Sequence, residues 1–245
     1  GSFGGFDFSK NIYLETKENF INAVLKNLDN IKPNSISITL PPDIYNLENN
    51  AYQLSIFLRN KFLIKNIEIN QYIDLNTYDF RKSIKSGNKK NIKKCIRRNI
   101  KFKELESDIY ELAYKIILSN RKRRKYNISM NWEDLHKMIN TFPDIFFNFG
   151  LFYEEEMIAS AICIKISDEI LYVFYWGEIE TYQQISPISF LSYKIGDYCK
   201  LKKIKILDLG TSSYNSVPNL GLINFKKSIG AICCNKLKLI KNFPE

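Results

Sequence analysis

The stretch IFFNFGLFYEEEMIASAICIKISDEILYVFYWG, residues 145–177, constrains the fold more than any other part of the chain. Its apolar runs break only at Glu154-Glu155 and Ser167-Asp168, where paired polar residues suit tight turns. Consecutive antiparallel strands are therefore predicted, which commits the protein to a sheet.

The flanking sequence supplies helices. A basic helix is predicted over 79–99, with Phe80, Ile84, Ile92, Cys95, Ile96 and Ile100 near one stripe and Gly87 as its expected break. Ser107 suits the cap of a helix carrying Ile109, Leu112, Ala113 and Ile116, and a third carries Trp132, Leu135, Ile139 and Phe142. After the strands, Ser186-Pro187 opens ISFLSYKIGDYC with a fitting N-cap and first-turn residue. A strand at 204–210, a helix at 220–228 and a strand from Ala231 to about Leu239 follow.

The first 75 residues carry a similar order. GSFGGFDFS reads as a strand with a glycine turn, and, lacking an initiator Met, as a chain that starts part-way through a protein or has been processed. A helix with Thr16 as N-cap presents Phe20, Ile21, Val24, Leu25 and Leu28 on one face. Strand 35–40 stops at Pro41-Pro42, and a helix near 50–60 and a strand near 61–75 complete the series. The expectation is an α/β (α+β) protein of two units, 1–75 and 76–245, similar in pattern and without residue-level identity.

The chain of 245 residues is 45% hydrophobic, enough to bury a core. No apolar run reaches the roughly 18–20 residues a membrane span requires, and no signal peptide opens the sequence, so a cytoplasmic location is expected. Five cysteines without C-x-x-C spacing indicate neither a disulfide framework nor a thiolate metal site. The single histidine, His136, has no ligand cluster near it in sequence, so no metal is expected. The net charge of +10 is concentrated: residues 80–103 hold eleven Lys or Arg and no acid, and RKRRK at 121–125 adds five. Either these segments face a polyanion, such as nucleic acid, a nucleotide sugar or a phosphate-bearing cofactor, or they are solvated faces of a Lys-rich protein.

The element order, with SPISFLSYKIGDYC, ILDLG and GLINFKKSIGA, resembles the GNAT acyltransferase fold, and in particular its FemAB-like branch of tandem GNAT domains. The family elements look like the basic helix 81–98, Asp208-Leu209-Gly210 at a strand end, and Phe225 to Gly230. The resemblance implies a GNAT-like mixed sheet flanked by helices, preceded by a partial GNAT-like unit. It also implies transfer of an acetyl or related acyl group from acyl-CoA to an amino or hydroxyl group of a sugar or cell-envelope precursor. Two features depart from the family: GEIETYQQISPIS at 177–189 lacks the glycines of the usual pyrophosphate loop, and no long helical arm exists. Acetyl-CoA use therefore rests on kinship, and aminoacyl-tRNA is the alternative donor. A noncatalytic nucleic-acid or partner-binding protein of the same fold is a third reading.

Within that resemblance, the strand at 169–177 bends away from 204–210, leaving a gap for the donor chain. Lys226 is expected to offset the charge of a tetrahedral intermediate, or else to complement a helix C-terminus together with Lys227. Asp208 is a general base, an acceptor ligand or a turn cap; Tyr214 is a proton donor for the leaving group. Ser212 and Asn215 are assigned to the acceptor. Tyr175 and Trp176 stack on substrate or fill the core, and Arg97 and Arg98 are diphosphate contacts. Gln183, Gln184, Ser186 and Ser189 are expected to meet the donor phosphates at a helix start.

Overall fold

The computed structural model describes residues 3–9, 11–31, 33–76 and 79–243, the side chain of Asp29 excepted. In chain order the elements are α1 (Leu14–Ile31), β1 (Ser35–Thr39), α2 (Leu47–Arg59), β2 (Leu63–Asp74), α3 (Phe80–Ser83), α4 (Ser86–Arg97) and β3 (Lys101–Glu104). Then come α5 (Tyr110–Arg123), α6 (Trp132–Thr141), β4 (Phe146–Tyr153), β5 (Glu156–Ser167), β6 (Ile170–Glu178) and α7 (Pro187–Leu201). The chain finishes with β7 (Ile206–Thr211), the short β8 (Ser213–Tyr214) and β9 (Val217–Pro218), α8 (Leu220–Ser228) and β10 (Ile232–Asn242).

Two compact units result, and each is described by itself. The first combines residues up to Asn70 with 211–220 and the chain from Cys233. The last strand, expected to end the downstream unit, instead pairs antiparallel with β1, Ile38 opposite Leu239. Ile21, Leu25, Leu40, Ile56, Phe57, Phe62 and Leu239 form its core. The expected strand at the beginning is absent from residues 3–9, and Gly1 and Ser2 lie outside the described residues. Side chains of α2 take the backbone groups that a strand would have paired: Gln53 Oε1 accepts from Phe6 N (2.7 Å), while Asn49 Nδ2 and Gln53 Nε2 donate to Phe6 O. The first helix starts at Leu14, which puts Thr16 inside its first turn instead of at the cap.

The second unit comprises 71–210 and 221–232. Here β4, β5 and β6 form the antiparallel series expected from the sequence, turning at Glu154-Glu155 and again after Ser167. On the far side of β4 lies β3, a strand the sequence reading missed. The other neighbour of β6 is β7, which is parallel to it, so the sheet is mixed. From Ala159 onward, side chains alternate across β5 and feed two cores. Ala159, Ala161 and Cys163 pack with α3, α4 and α7, whereas Ile162 packs with α5 and α6. The basic segment breaks between α3 and α4 at Ile84-Lys85, where the Lys85 amide donates to Ser228 O at 2.9 Å; Gly87 lies within α4.

Candidate active site

Parallel pairing between β6 and β7 is short. It comprises Ile170 with Ile206, Leu171 with Leu207 and Tyr172 with Asp208, and then stops, although β6 continues to Glu178. The opposite edge of β6 supplies a cause. Ile162 faces Tyr175 while its neighbour Cys163 faces Val173, which leaves Phe174 as an extra residue. Such a bulge bends and twists the strand that contains it. It falls two residues beyond the last pair with β7, so β6 turns away where Asp208 and Gly210 begin the exit from β7. Past Tyr172, the β7-facing backbone edge of β6 has no ladder partner among the described residues.

At the mouth of this parting, two charged side chains hold the two backbone groups of one residue, Gly210. Asp208 Oδ1 accepts from Gly210 N at 2.8 Å, closing the turn, and Lys226 Nζ donates to Gly210 O at 2.9 Å. Asp208 and Lys226 are only 1% and 2% exposed. Gly210 adopts φ +76°, and a Cβ there would come within 3.1 Å of the Tyr172 ring, so glycine answers both constraints. Burial, and secondarily the Asp208 charge, raise the pKa of the Tyr172 phenol well above the ordinary tyrosine value.

The end of α8 explains how Lys226 reaches inward. Ala231 N donates to Lys226 O at 3.0 Å and Gly230 N to Lys227 O at 3.1 Å, with Gly230 at φ +99°. This glycine-terminated motif satisfies the last carbonyls without either lysine side chain. Burial then separates the neighbours: Lys227 is exposed and suited to the helix dipole, whereas Lys226 points into the protein. One turn before Lys226, the Ile223 carbonyl accepts from Gln71 Nε2 at 3.2 Å. Gln71 is fully buried, and its Oε1 has no hydrogen-bond partner among the described residues. Tyr172 and Gln71 escaped the sequence reading because their roles come from elements far apart in the chain.

The start of α7 already holds an anion. Glu178 Oε2 accepts from Ile188 N at 3.2 Å, and its Oε1 meets Arg124 at 3.3 Å. Pro187 has no N–H, and Ser189 N donates to Ser186 O at 3.0 Å, so the first-turn amides are occupied. Desolvation raises the Glu178 pKa above the ordinary glutamate value, against the pull of Ile188 N–H and the nearby arginines.

Ser186 caps α7 as expected by position, but at φ +48° and without a side-chain bond to the helix backbone. Its hydroxyl pairs with Ser189 Oγ at 2.8 Å, and Ser189 Oγ donates to Asn88 Oδ1 at 2.9 Å; Gln183 and Gln184 are exposed just upstream. Tyr175 is buried, bonded to the Ser129 hydroxyl and covered by the Arg121 guanidinium 4.8 Å from its ring. Trp176 packs edge-on against Phe225. Arg97 and Arg98 are exposed at the end of α4. Ser212, Tyr214 and Asn215 belong to the first unit. There Ser212 is buried, Asn215 accepts from Asn66 at 3.0 Å, and Tyr214 is 79% exposed on the β8–β9 hairpin.

Comparison with solved structures decides the fold. FemX superposes with a TM-score of 0.73 over 92% of this chain and 77% of its own, at 11% identity. The chain has the fold of FemX. The C-terminal domain of a putative lysylphosphatidylglycerol synthetase from Agrobacterium fabrum matches at TM-score 0.67 and 9% identity, covering 92% of this chain and 73% of that one. L-PGS from Bacillus licheniformis matches at 0.66 and 11% identity, covering 94% and 75%. No protein-family model and no curated protein matches the sequence. Among the described residues no helix is long and apolar enough to cross a membrane, and no group of His, Cys, Asp or Glu is arranged to hold a metal.

Proposed function

We propose that this FemX-fold chain is an acyl-group transferase. The observation that carries the reading is the three-pair junction of β6 and β7 with the buried Lys226 ammonium at its mouth. An acyl carbonyl laid along the open edge of β6 would meet backbone N–H groups. An amine or hydroxyl of a sugar or cell-envelope precursor attacks the carbonyl carbon. A bond to nitrogen or oxygen forms, the acyl–oxygen or acyl–sulfur bond breaks, and the departing atom takes a proton. Negative charge develops on the carbonyl oxygen, and a preorganised cation in a poorly solvated site lowers that barrier. Asp208, committed to Gly210 N, positions the residue whose carbonyl Lys226 holds. Tyr172, kept protonated by burial, is the candidate proton donor within this unit.

Of the two donors, the ester of an aminoacyl-tRNA is favoured over an acyl-CoA thioester. A pyrophosphate at the start of α7 would meet the Glu178 carboxylate and amides already in use. The residues present do not fit the CoA pyrophosphate there, and no step is assigned to it. The test offers labelled aminoacyl-tRNA and labelled acetyl-CoA in parallel, with amino sugars and nucleotide-linked wall precursors as acceptors. Acyl-product formation from the tRNA ester is expected. Turnover from acetyl-CoA alone would reverse the donor assignment, and no transfer from either would remove the enzyme reading.

A further inference from the structure

We propose that the outer face of α4 docks on an anionic lipid bilayer. Ile92 and Cys95 bury the inner face of this helix, where Cys95 Sγ lies 3.6 Å from Ile185 O. Opposite them, Lys90, Lys93, Lys94 and Arg97 follow the i, i+3, i+4, i+7 spacing of one helical stripe. All four are exposed, and none has an ion pair among the described residues. The stripe is about 10 Å long at the α-helical rise. Lys89 and Arg98 flank it, and no acidic residue occurs between 80 and 103 to neutralise it.

A cation cluster of this density on an amphipathic helix is complementary to the negative potential of an anionic membrane surface. The shape and chemistry of the face favour a bilayer over RNA. A helix side is convex and suits a plane. No aromatic residue occurs in α4, so it offers no stacking platform for single-stranded bases. Three of the four stripe residues are Lys, point charges without the planar fork that recognises nucleic-acid phosphates. On the rim, Ile96 is 56% exposed, an aliphatic group able to enter the headgroup boundary. Docking is independent of the transfer reaction, so it stands or falls separately from the proposed activity.

The experiment is sedimentation of the full chain with vesicles of phosphatidylglycerol and phosphatidylcholine, and with phosphatidylcholine alone. Binding is expected only with the anionic lipid. It should disappear as salt rises from about 0.1 to about 1 M, which shortens the screening length from about 10 to about 3 Å. The triple change Lys90→Gln, Lys93→Gln, Lys94→Gln should weaken binding about 100-fold, from roughly fivefold per surface charge. The control Lys137→Gln, Lys202→Gln, Lys203→Gln removes the same charge from exposed positions outside α4 and should bind like the unmodified chain. Circular dichroism checks folding of both variants, and the salt series needs no variant. Equal binding to neutral vesicles, an equal loss in the control, or binding to an RNA hairpin without vesicle binding would each overturn the proposal, as would no vesicle binding.

Discussion

Replacing Lys226 by methionine separates chemistry from architecture, because the proposed oxyanion role and the bond to Gly210 O predict losses of different size. Methionine retains an unbranched stem in a position 2% exposed but removes the donor to Gly210 O, a contact of 2.9 Å. Losing a hydrogen bond from a charged group costs about 1.5–3 kcal/mol of stability. For a chain of this size the melting temperature should fall by about 3–12 °C. A native state that starts from about 5 kcal/mol or more stays predominantly folded at 25 °C after that loss. Unfolding therefore cannot account for a large drop in rate. Loss of one preorganised stabiliser of an oxyanion costs about 100- to 1,000-fold in turnover. Single-turnover transfer of labelled acyl group at 25 °C, with calorimetric melting on the same sample, reads both numbers. A melting shift in that range with turnover within about threefold of the parent would refute the catalytic assignment and leave Lys226 a fastener of Gly210.

Three further outcomes follow from the second unit and the cysteines. Gly210→Ala combines an unfavourable positive φ with a 3.1 Å approach to Tyr172, and should cost about 1–2 kcal/mol or more, read by urea unfolding. Glu178 has a pKa raised above its ordinary 4.5, so the folded state holds its proton more tightly than the unfolded chain. Its contribution is fully present below 4.5 and is lost as pH climbs through the raised value; Glu178→Gln should flatten that slope in pH-dependent melting, and an unchanged slope would contradict the assignment. Iodoacetamide at pH 8 should label exposed Cys233 first and spare Cys95, whose thiol burial pushes its pKa up to about 11, with buried Cys163 and Cys199 also protected; peptide mass spectrometry reads the order.

Much of the framework was legible because local chemistry and tertiary structure agree. The polar pairs that interrupt 145–177 mark real strand turns, Ser186-Pro187 marks the start of α7, and Gly230 ends α8. Failures arose where distant partners decide. Phe6 gives its backbone N–H and C=O to Gln53 and Asn49 side chains, which no local pattern reveals. The short β3, Lys101–Glu104, is mostly charged and became a strand by pairing with β4. The extra residue Phe174 hides in an aromatic run where any register looks the same. For the site, a lysine before a glycine-terminated turn is ambiguous in sequence, since Lys226 and Lys227 differ only in burial. The placement of Glu178 is equally invisible in sequence: glycines and a helix start near α7 can be read locally, whereas a carboxyl folded onto Ile188 N from ten residues away cannot.

A crystal structure with a nonhydrolysable amide analogue of the aminoacyl-tRNA 3′ end tests the mechanism most directly. The analogue's carbonyl oxygen should lie between β6 and β7, within hydrogen-bond distance of a backbone N–H in the 173–178 stretch, with the Lys226 ammonium on the same side. An analogue bound elsewhere, or strands that zip together beyond Tyr172 and Asp208 when it binds, would contradict the account.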